Sequence, residues 1–170
     1  MDEIELKFLD INVEEIKKKL ERLGAELKYD ATIESNTFLK DGFSRRDSSK
    51  NYLRLRKING KSELTFKGPA KVSSMAIRDE LEIEVSDFDS CIKILDKLGF
   101  KKGELLKKHR AHYELGNIHF ELDTLDNIPT FLEIETRTKE EMENICLKLG
   151  LDIKSGKKGM IIEILPDKFN

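Results

Sequence analysis

Apolar and charged residues alternate along several stretches of this chain, and the charged half of the alternation is crowded with Glu-x-Glu repeats. Side chains two apart share one face of a strand. One face carries Ile4, Leu6 and Phe8; Leu53 and Leu55; Leu64 and Phe66; Leu81, Ile83 and Val85; Ile118, Phe120 and Leu122; Leu132 and Ile134. The other carries Glu3, Glu5 and Lys7; Arg54 and Arg56; Glu63, Thr65 and Lys67; Arg78, Glu80, Glu82 and Glu84; Lys108 and Arg110; Glu121 and Asp123; Glu133 and Glu135. An antiparallel sheet with one face in water alternates in this way. Solvated faces, however, mix Thr, Ser, Gln and both charges, and crowding like charges on one face costs free energy unless something compensates. About eight strands are enough to close into a barrel, and closure turns the charged face inward. The expected fold is therefore α+β: an eight-stranded antiparallel closed β-barrel, a tunnel, with helices packed outside on the apolar face.

The pattern predicts strands near 2–9, 28–39, 51–58, 62–67, 77–86, 102–114, 117–124 and 130–136. Asn59-Gly60 and Gly116-Asn117 read as hairpin turns. Helical stripes run through Val13, Ile16, Leu20 and Leu23, with Asn12 as cap. They recur through Phe88, Cys91, Ile92, Leu95 and Leu98, and through Met142, Ile145, Cys146 and Leu149. The chain also echoes itself. Glu82-Ile-Glu84 and Glu133-Ile-Glu135 are each followed by a helical stretch and a Lys-Leu-Gly stop, the glycine 15 residues after the second glutamate. Glu3-Ile-Glu5 leads to Leu23-Gly24 with four more residues between. Two polar segments, 40–50 and 68–75, are expected to be loops that close over a ligand.

With 170 residues and no low-complexity linker, residues 1–170 are expected to form one domain. The 31 Lys and Arg against 33 Asp and Glu leave a net charge of -2, without the basic excess of a duplex nucleic-acid binder. No apolar run is long enough for a membrane helix, and the N-terminus lacks a secretory pattern. Cys91 and Cys146 fall on apolar stripes and have no metal-type spacing. They read as buried thiols of a cytoplasmic protein. A homodimer is an open expectation.

Closure would enclose ten carboxylates: Glu3, Glu5, Glu63, Glu80, Glu82, Glu84, Glu121, Asp123, Glu133 and Glu135. It would also enclose seven bases: Lys7, Arg54, Arg56, Lys67, Arg78, Lys108 and Arg110. Clustered carboxylates offer oxygen ligands suited to Mg²⁺ or Mn²⁺. Clustered Arg and Lys suit phosphate oxygens. Together they point to a metal-bound polyphosphate such as a nucleoside triphosphate. No Gly-rich phosphate loop and no zinc spacing offers an alternative. Of the histidines, His109 shares the apolar parity with Tyr113 and is expected to pack. His112 and His119 share the charged parity near the tunnel mouths.

These residues also occur in a familiar order. Glu3-x-Glu5-x-Lys7 resembles the E-x-E-x-K signature of the CYTH, or triphosphate tunnel metalloenzyme, superfamily. Leu53-Arg54-Leu55-Arg56 is similar to its L-R-[IL]-R strand, and Leu64-Thr65-Phe66-Lys67-Gly68-Pro69 to its L-T-x-K-G-P strand and turn. Arg78-Asp79-Glu80-Leu81-Glu82, Lys108-His109-Arg110, Leu122-Asp123 and Phe131-Leu132-Glu133-Ile134-Glu135 resemble the later motifs in order. The length and spacing look most like the class IV adenylyl cyclase branch. Asn127-Ile128-Pro129 stands where that branch often has G-L-G, and its C-terminal S-Y element is not evident.

The resemblance implies a divalent metal on Glu3, Glu5, Glu133 and Glu135. It implies phosphate binding by Lys7, Arg54, Arg56, Lys67, Arg78, Lys108 and Arg110. It also implies conversion of ATP to cyclic AMP and pyrophosphate, with Lys7 in the catalytic set and Asp123 as a trial general base. The same tunnel suits a triphosphatase acting on inorganic or thiamine triphosphate, or a non-enzymatic polyphosphate sensor.

Overall fold

A computed structural model describes residues 2–40, 50–69 and 76–169. Its strands are β1 (Asp2–Phe8), β2 (Glu26–Lys40), β3 (Tyr52–Ile58), β4 (Lys61–Lys67), β5 (Ala76–Val85), β6 (Phe100–Leu115), β7 (Ile118–Leu125) and β8 (Ile128–Thr136). They close into an antiparallel barrel in the order β1-β5-β4-β3-β2-β6-β7-β8. Most of the predicted loop segments, 41–49 and 70–75, lie outside the described residues, as does the expectation placed on them.

Each helix follows a strand of the echo. These are α1 (Val13–Arg22), α2 (Phe88–Lys97) and α3 (Lys139–Leu149). Their N-termini are capped by side chains. Asn12 accepts from the Glu15 N–H at 3.1 Å and Asp87 from that of Ser90 at 2.9 Å. Thr138 and Glu141 form a reciprocal capping box. The glycines that end the echo, Gly24, Gly99 and Gly150, have φ of 79°, 84° and 68°, left-handed values that stop a helix cheaply only at glycine.

The main core lies outside the barrel wall, where α1 and α3 cover β1, β7 and β8. Leu20, Phe120, Leu132, Ile134, Met142 and Leu149 are fully buried there. Each such side chain contributes about 1.5–3 kcal/mol, so Leu132→Ala would cost about 2–5 kcal/mol. A second cluster seats Cys91 and Leu95 of α2 on Leu55 and Phe38.

Three expectations about the outer face need correction. Strand parity assigns a face but not its cover, and α2 does not reach the whole of β5. Leu81 and Ile83 therefore stand 63% and 62% exposed. His109 does not pack: it is exposed on β6 and pairs with Asp30 of β2. Beyond the three expected helices, a short fourth one, α4 (Ile161–Ile164), follows a backbone bridge between Lys7 and Lys157. Its Ile161, and Leu165 just after it, pack on Leu125, Ile128 and Phe131 at one end of the barrel. No helix among the described residues is long and apolar enough to cross a membrane.

Candidate functional site

Pairing across β1, β8, β7, β6 and β2 sets the inner residues in transverse rows. Lys7 lies opposite Glu133, Glu133 opposite Glu121, Glu121 opposite His112, and His112 opposite Tyr29. The next row runs Glu5, Glu135, His119 and Glu114. A cavity of about 390 Å³ runs through the barrel. All seven predicted bases line it: Lys7, Arg54, Arg56, Lys67, Arg78, Lys108 and Arg110. Of the predicted carboxylates, Glu5, Glu80, Glu82, Glu121, Asp123, Glu133 and Glu135 line it as well.

Two expected interior acids do not. Glu63 is spent on Arg56 Nε at 2.5 Å, and Glu84 is exposed at the end of β5. Glu3 sits in β1 opposite Arg78, but its side chain lies outside the described part of the structure.

The bases differ in what they already hold. Arg110 is fully committed. It makes two hydrogen bonds to Asp123, from Nε and Nη2, both at 2.6 Å, and a third contact to Glu121. Lys108 donates to the same Asp123 at 2.7 Å. Burial would lift the Asp123 carboxyl, but Arg110 and Lys108 outweigh it and hold the group below its ordinary range. Lys67 pairs with Glu80, and Arg56 also reaches Glu82 at 3.3 Å.

Among the described residues, two guanidinium nitrogens are unspent. Arg54 Nε and Arg78 Nη2 are buried with no hydrogen-bond partner there. Arg78 is otherwise fixed by Nη1 donating to the Gly68 carbonyl at 2.7 Å and by the Tyr52 ring beneath its guanidinium. A buried unpaired donor costs roughly 1–3 kcal/mol, so an anion that accepts from it is favoured.

The acids are crowded at the other side. Carboxylate oxygens of Glu5, Glu133 and Glu135 lie within 4.8 Å of one another, and so do those of Glu121, Asp123 and Glu133. Lys7 bridges Glu5 at 3.0 Å and Glu133 at 3.1 Å. Burial opposes the charge on Glu5, but Lys7 and Lys67 hold it down at about 2. Glu133 is lifted by burial and, against Lys7, by its acidic neighbours Glu5 and Glu121, to about 7. Glu135 is pushed well above the carboxylate range by burial and by Glu121 and Glu133. Glu121 Oε2 is buried without a hydrogen-bond partner among the described residues. An oxygen-only set that cannot ionise fully by itself fits a divalent cation, which would take the place of the missing protons.

One end of the cavity is apolar. Leu106, Leu125, Phe131, Met160, Ile161 and Ile162 line it, next to Ser35 and Thr37. Sequence reading missed this end and also missed Tyr29, which stacks on His112 with ring centres 4.9 Å apart and planes 10° apart. The signal for Tyr29 was its parity with Ile33. The residues of α4 carried no periodic signal.

The CYTH domain family matches residues 1–148. The chain belongs to the CYTH family. Among its relatives is a Methanocaldococcus jannaschii protein named "putative adenylate cyclase", 29% identical over 138 residues, with 79% of this chain and 77% of that protein covered. A solved protein from Pyrococcus horikoshii OT3 superposes with a TM-score of 0.78 at 33% identity, covering 95% of this chain and 98% of that one. A Hippeastrum protein, described as a putative adenylyl cyclase with dominant triphosphatase activity, shares the fold with a TM-score of 0.62 at 17% identity. There 98% of this chain and 95% of that one are covered. The tunnel of this CYTH chain thus combines crowded acids, bases with spare donors and an apolar end.

Proposed function

We propose that this CYTH protein binds ATP in its tunnel and converts it to cyclic AMP and pyrophosphate. The observation that carries the reading is the pair of unspent buried donors, Arg54 Nε and Arg78 Nη2, in one cavity with a crowded acid set and an apolar end. The donors and the remaining bases suit a triphosphate. The apolar end gives an adenine ring a place that bare tripolyphosphate would not use.

Arg54 and Arg78 donate to phosphate oxygens. Lys7 and Lys67 neutralise further charge beside them. Asp123, which already accepts from Arg110 and Lys108, aims these two bases rather than abstracting a proton, since a carboxylate held at low pKa is a weak base. Glu3, Glu5, Glu133 and Glu135 would hold Mg²⁺ or Mn²⁺. When bound, such an ion neutralises phosphate charge and acidifies the attacking hydroxyl. In the reaction the ribose 3′-oxygen bonds to the α-phosphorus. The bond from that phosphorus to the oxygen shared with the β-phosphorus breaks. Pyrophosphate leaves with the electron pair, and the hydroxyl proton passes to water.

The test incubates the purified protein with ATP, tripolyphosphate and thiamine triphosphate, each with Mg²⁺ or Mn²⁺, and resolves the products by chromatography. Cyclic AMP plus pyrophosphate is the expected result. Orthophosphate from tripolyphosphate or thiamine triphosphate, with no cyclic product from ATP, would replace the cyclase with a triphosphatase in the same tunnel.

A further inference from the structure

At the hairpin end of β6 and β7, away from the apolar end, three donors of mixed type converge. His112 and Glu114 are two apart on β6, and His119 lies directly opposite Glu114 on β7. His112 Nε2 is 3.3 Å from Glu114 Oε1, His119 Nδ1 is 3.5 Å from His112 Nε2, and His119 Nδ1 is 3.8 Å from Glu114 Oε1. An ion bound tetrahedrally at about 2.0–2.1 Å holds its nitrogen and oxygen donors roughly 3.4 Å apart. The three edges therefore match one face of such a tetrahedron.

We infer that His112, Glu114 and His119 form a second cation site, selective for a borderline transition metal such as Zn²⁺ or Co²⁺ over Mg²⁺. Two imidazole nitrogens and one carboxylate suit those ions, whereas Mg²⁺ demands oxygen. A second observation supports the site. His112 Nδ1 is buried without a hydrogen-bond partner among the described residues, and Glu121 Oε1 lies 3.5 Å from it. A metal on Nε2 leaves the proton on Nδ1, and a nearby carboxylate is the usual acceptor behind a metal-bound histidine. The Tyr29 ring stacked on His112 fixes the imidazole plane. His119, 39% exposed at its side chain, is free to turn its nitrogen onto an arriving ion. Lys28 is 3.7 Å from Glu114 Oε2 and leaves Oε1 to face the histidines. Three protein ligands leave one position for water or a substrate oxygen. The site does not depend on which reaction the tunnel performs.

The experiment uses the full chain without a histidine tag, in excess Mg²⁺ to occupy the acidic cluster, titrated with Co²⁺. The expected result is the intense visible absorption of a four-coordinate Co²⁺ ion, displaced by Zn²⁺. Zn²⁺ affinity should fall at least about tenfold in His119→Ala and in Glu114→Gln, both near the open mouth. It should be unchanged in Glu5→Gln. Absence of the absorption in the wild-type chain overturns the proposal. So does absorption that survives His119→Ala, or that vanishes in Glu5→Gln, which would put the ion in the acid cluster.

Discussion

Arg110 holds Asp123 through two parallel hydrogen bonds of 2.6 Å inside the barrel, where the Asp123 side chain is only 1% exposed. Asp123 therefore has a paired charge rather than a free one, and Arg110, with Lys108, ties β6 to β7 inside the tunnel.

Removing Arg110 strips Asp123 and Glu121 of their main buried partner and leaves Lys108 beside Asp123 and His112 3.5 Å from Glu121. Breaking a buried pair by deleting one partner costs about 3–5 kcal/mol. Arg110→Leu should therefore lower unfolding free energy by about that amount in urea titrations at neutral pH. A loss below about 1 kcal/mol would mean that water reaches the pair.

The metal-free protein should lose stability as pH rises from mildly acidic to neutral. Glu133 is held at about 7 in the fold against an ordinary 4.5, so between those values the folded state binds more protons than the unfolded chain. Its contribution is present below the unfolded value and is lost as pH rises through about 7. Glu5, held at about 2, runs the other way, and its contribution is lost as pH falls through that value. In EDTA, Tm should drop between about pH 5 and about pH 7.5, and Mn²⁺ should flatten the drop by replacing protons. A Tm in EDTA that rises over this range would contradict the crowding of Glu5, Glu133 and Glu135.

Arg54→Met separates binding from stability. Arg54 Nε has no hydrogen-bond partner among the described residues, and its Nη2 makes a 3.4 Å bond to Thr65 and a long 3.9 Å ion pair with the exposed Glu82. The variant should keep its Tm within a few degrees while binding of tripolyphosphate weakens at least about tenfold, the worth of one charge-assisted hydrogen bond. Calorimetric titration with the Mg²⁺ complex measures this. Unchanged affinity would remove Arg54 from the phosphate site.

Strand parity made the barrel legible, because closing eight strands leaves one face for side chains that must be partnered and one for the helices. All seven expected bases and seven of the ten expected acids accordingly line one cavity. Parity could not say which outer residues a helix covers, so exposed Leu81, Ile83 and His109 read as core. Nor could it find the third hairpin. There Asn127 takes a φ of 63°, a left-handed value that asparagine tolerates in a turn. The apolar run Met160-Ile161-Ile162 has neither helical nor strand periodicity. Its place at the tunnel end comes from the backbone bridge between Lys7 and Lys157, a contact between residues far apart in sequence.

That tunnel end supplies the sharpest test of nucleoside binding. Ile161 lines the cavity beside Leu106, Leu125 and Phe131 and is itself only partly buried, so a change there need not unfold the barrel. Ile161→Asp would place a carboxylate where an adenine ring would rest, at a site with no role for bare tripolyphosphate. The loss of apolar contact and the new desolvation cost should raise KM for ATP about tenfold or more. Tripolyphosphate, held by Arg54, Arg78 and the lysines further along, should be affected several-fold less. KM for ATP and the inhibition constant of tripolyphosphate against ATP, measured with one preparation, give the ratio directly. Equal losses for the two ligands would show that the apolar end only braces the barrel, and would leave the nucleoside without a pocket.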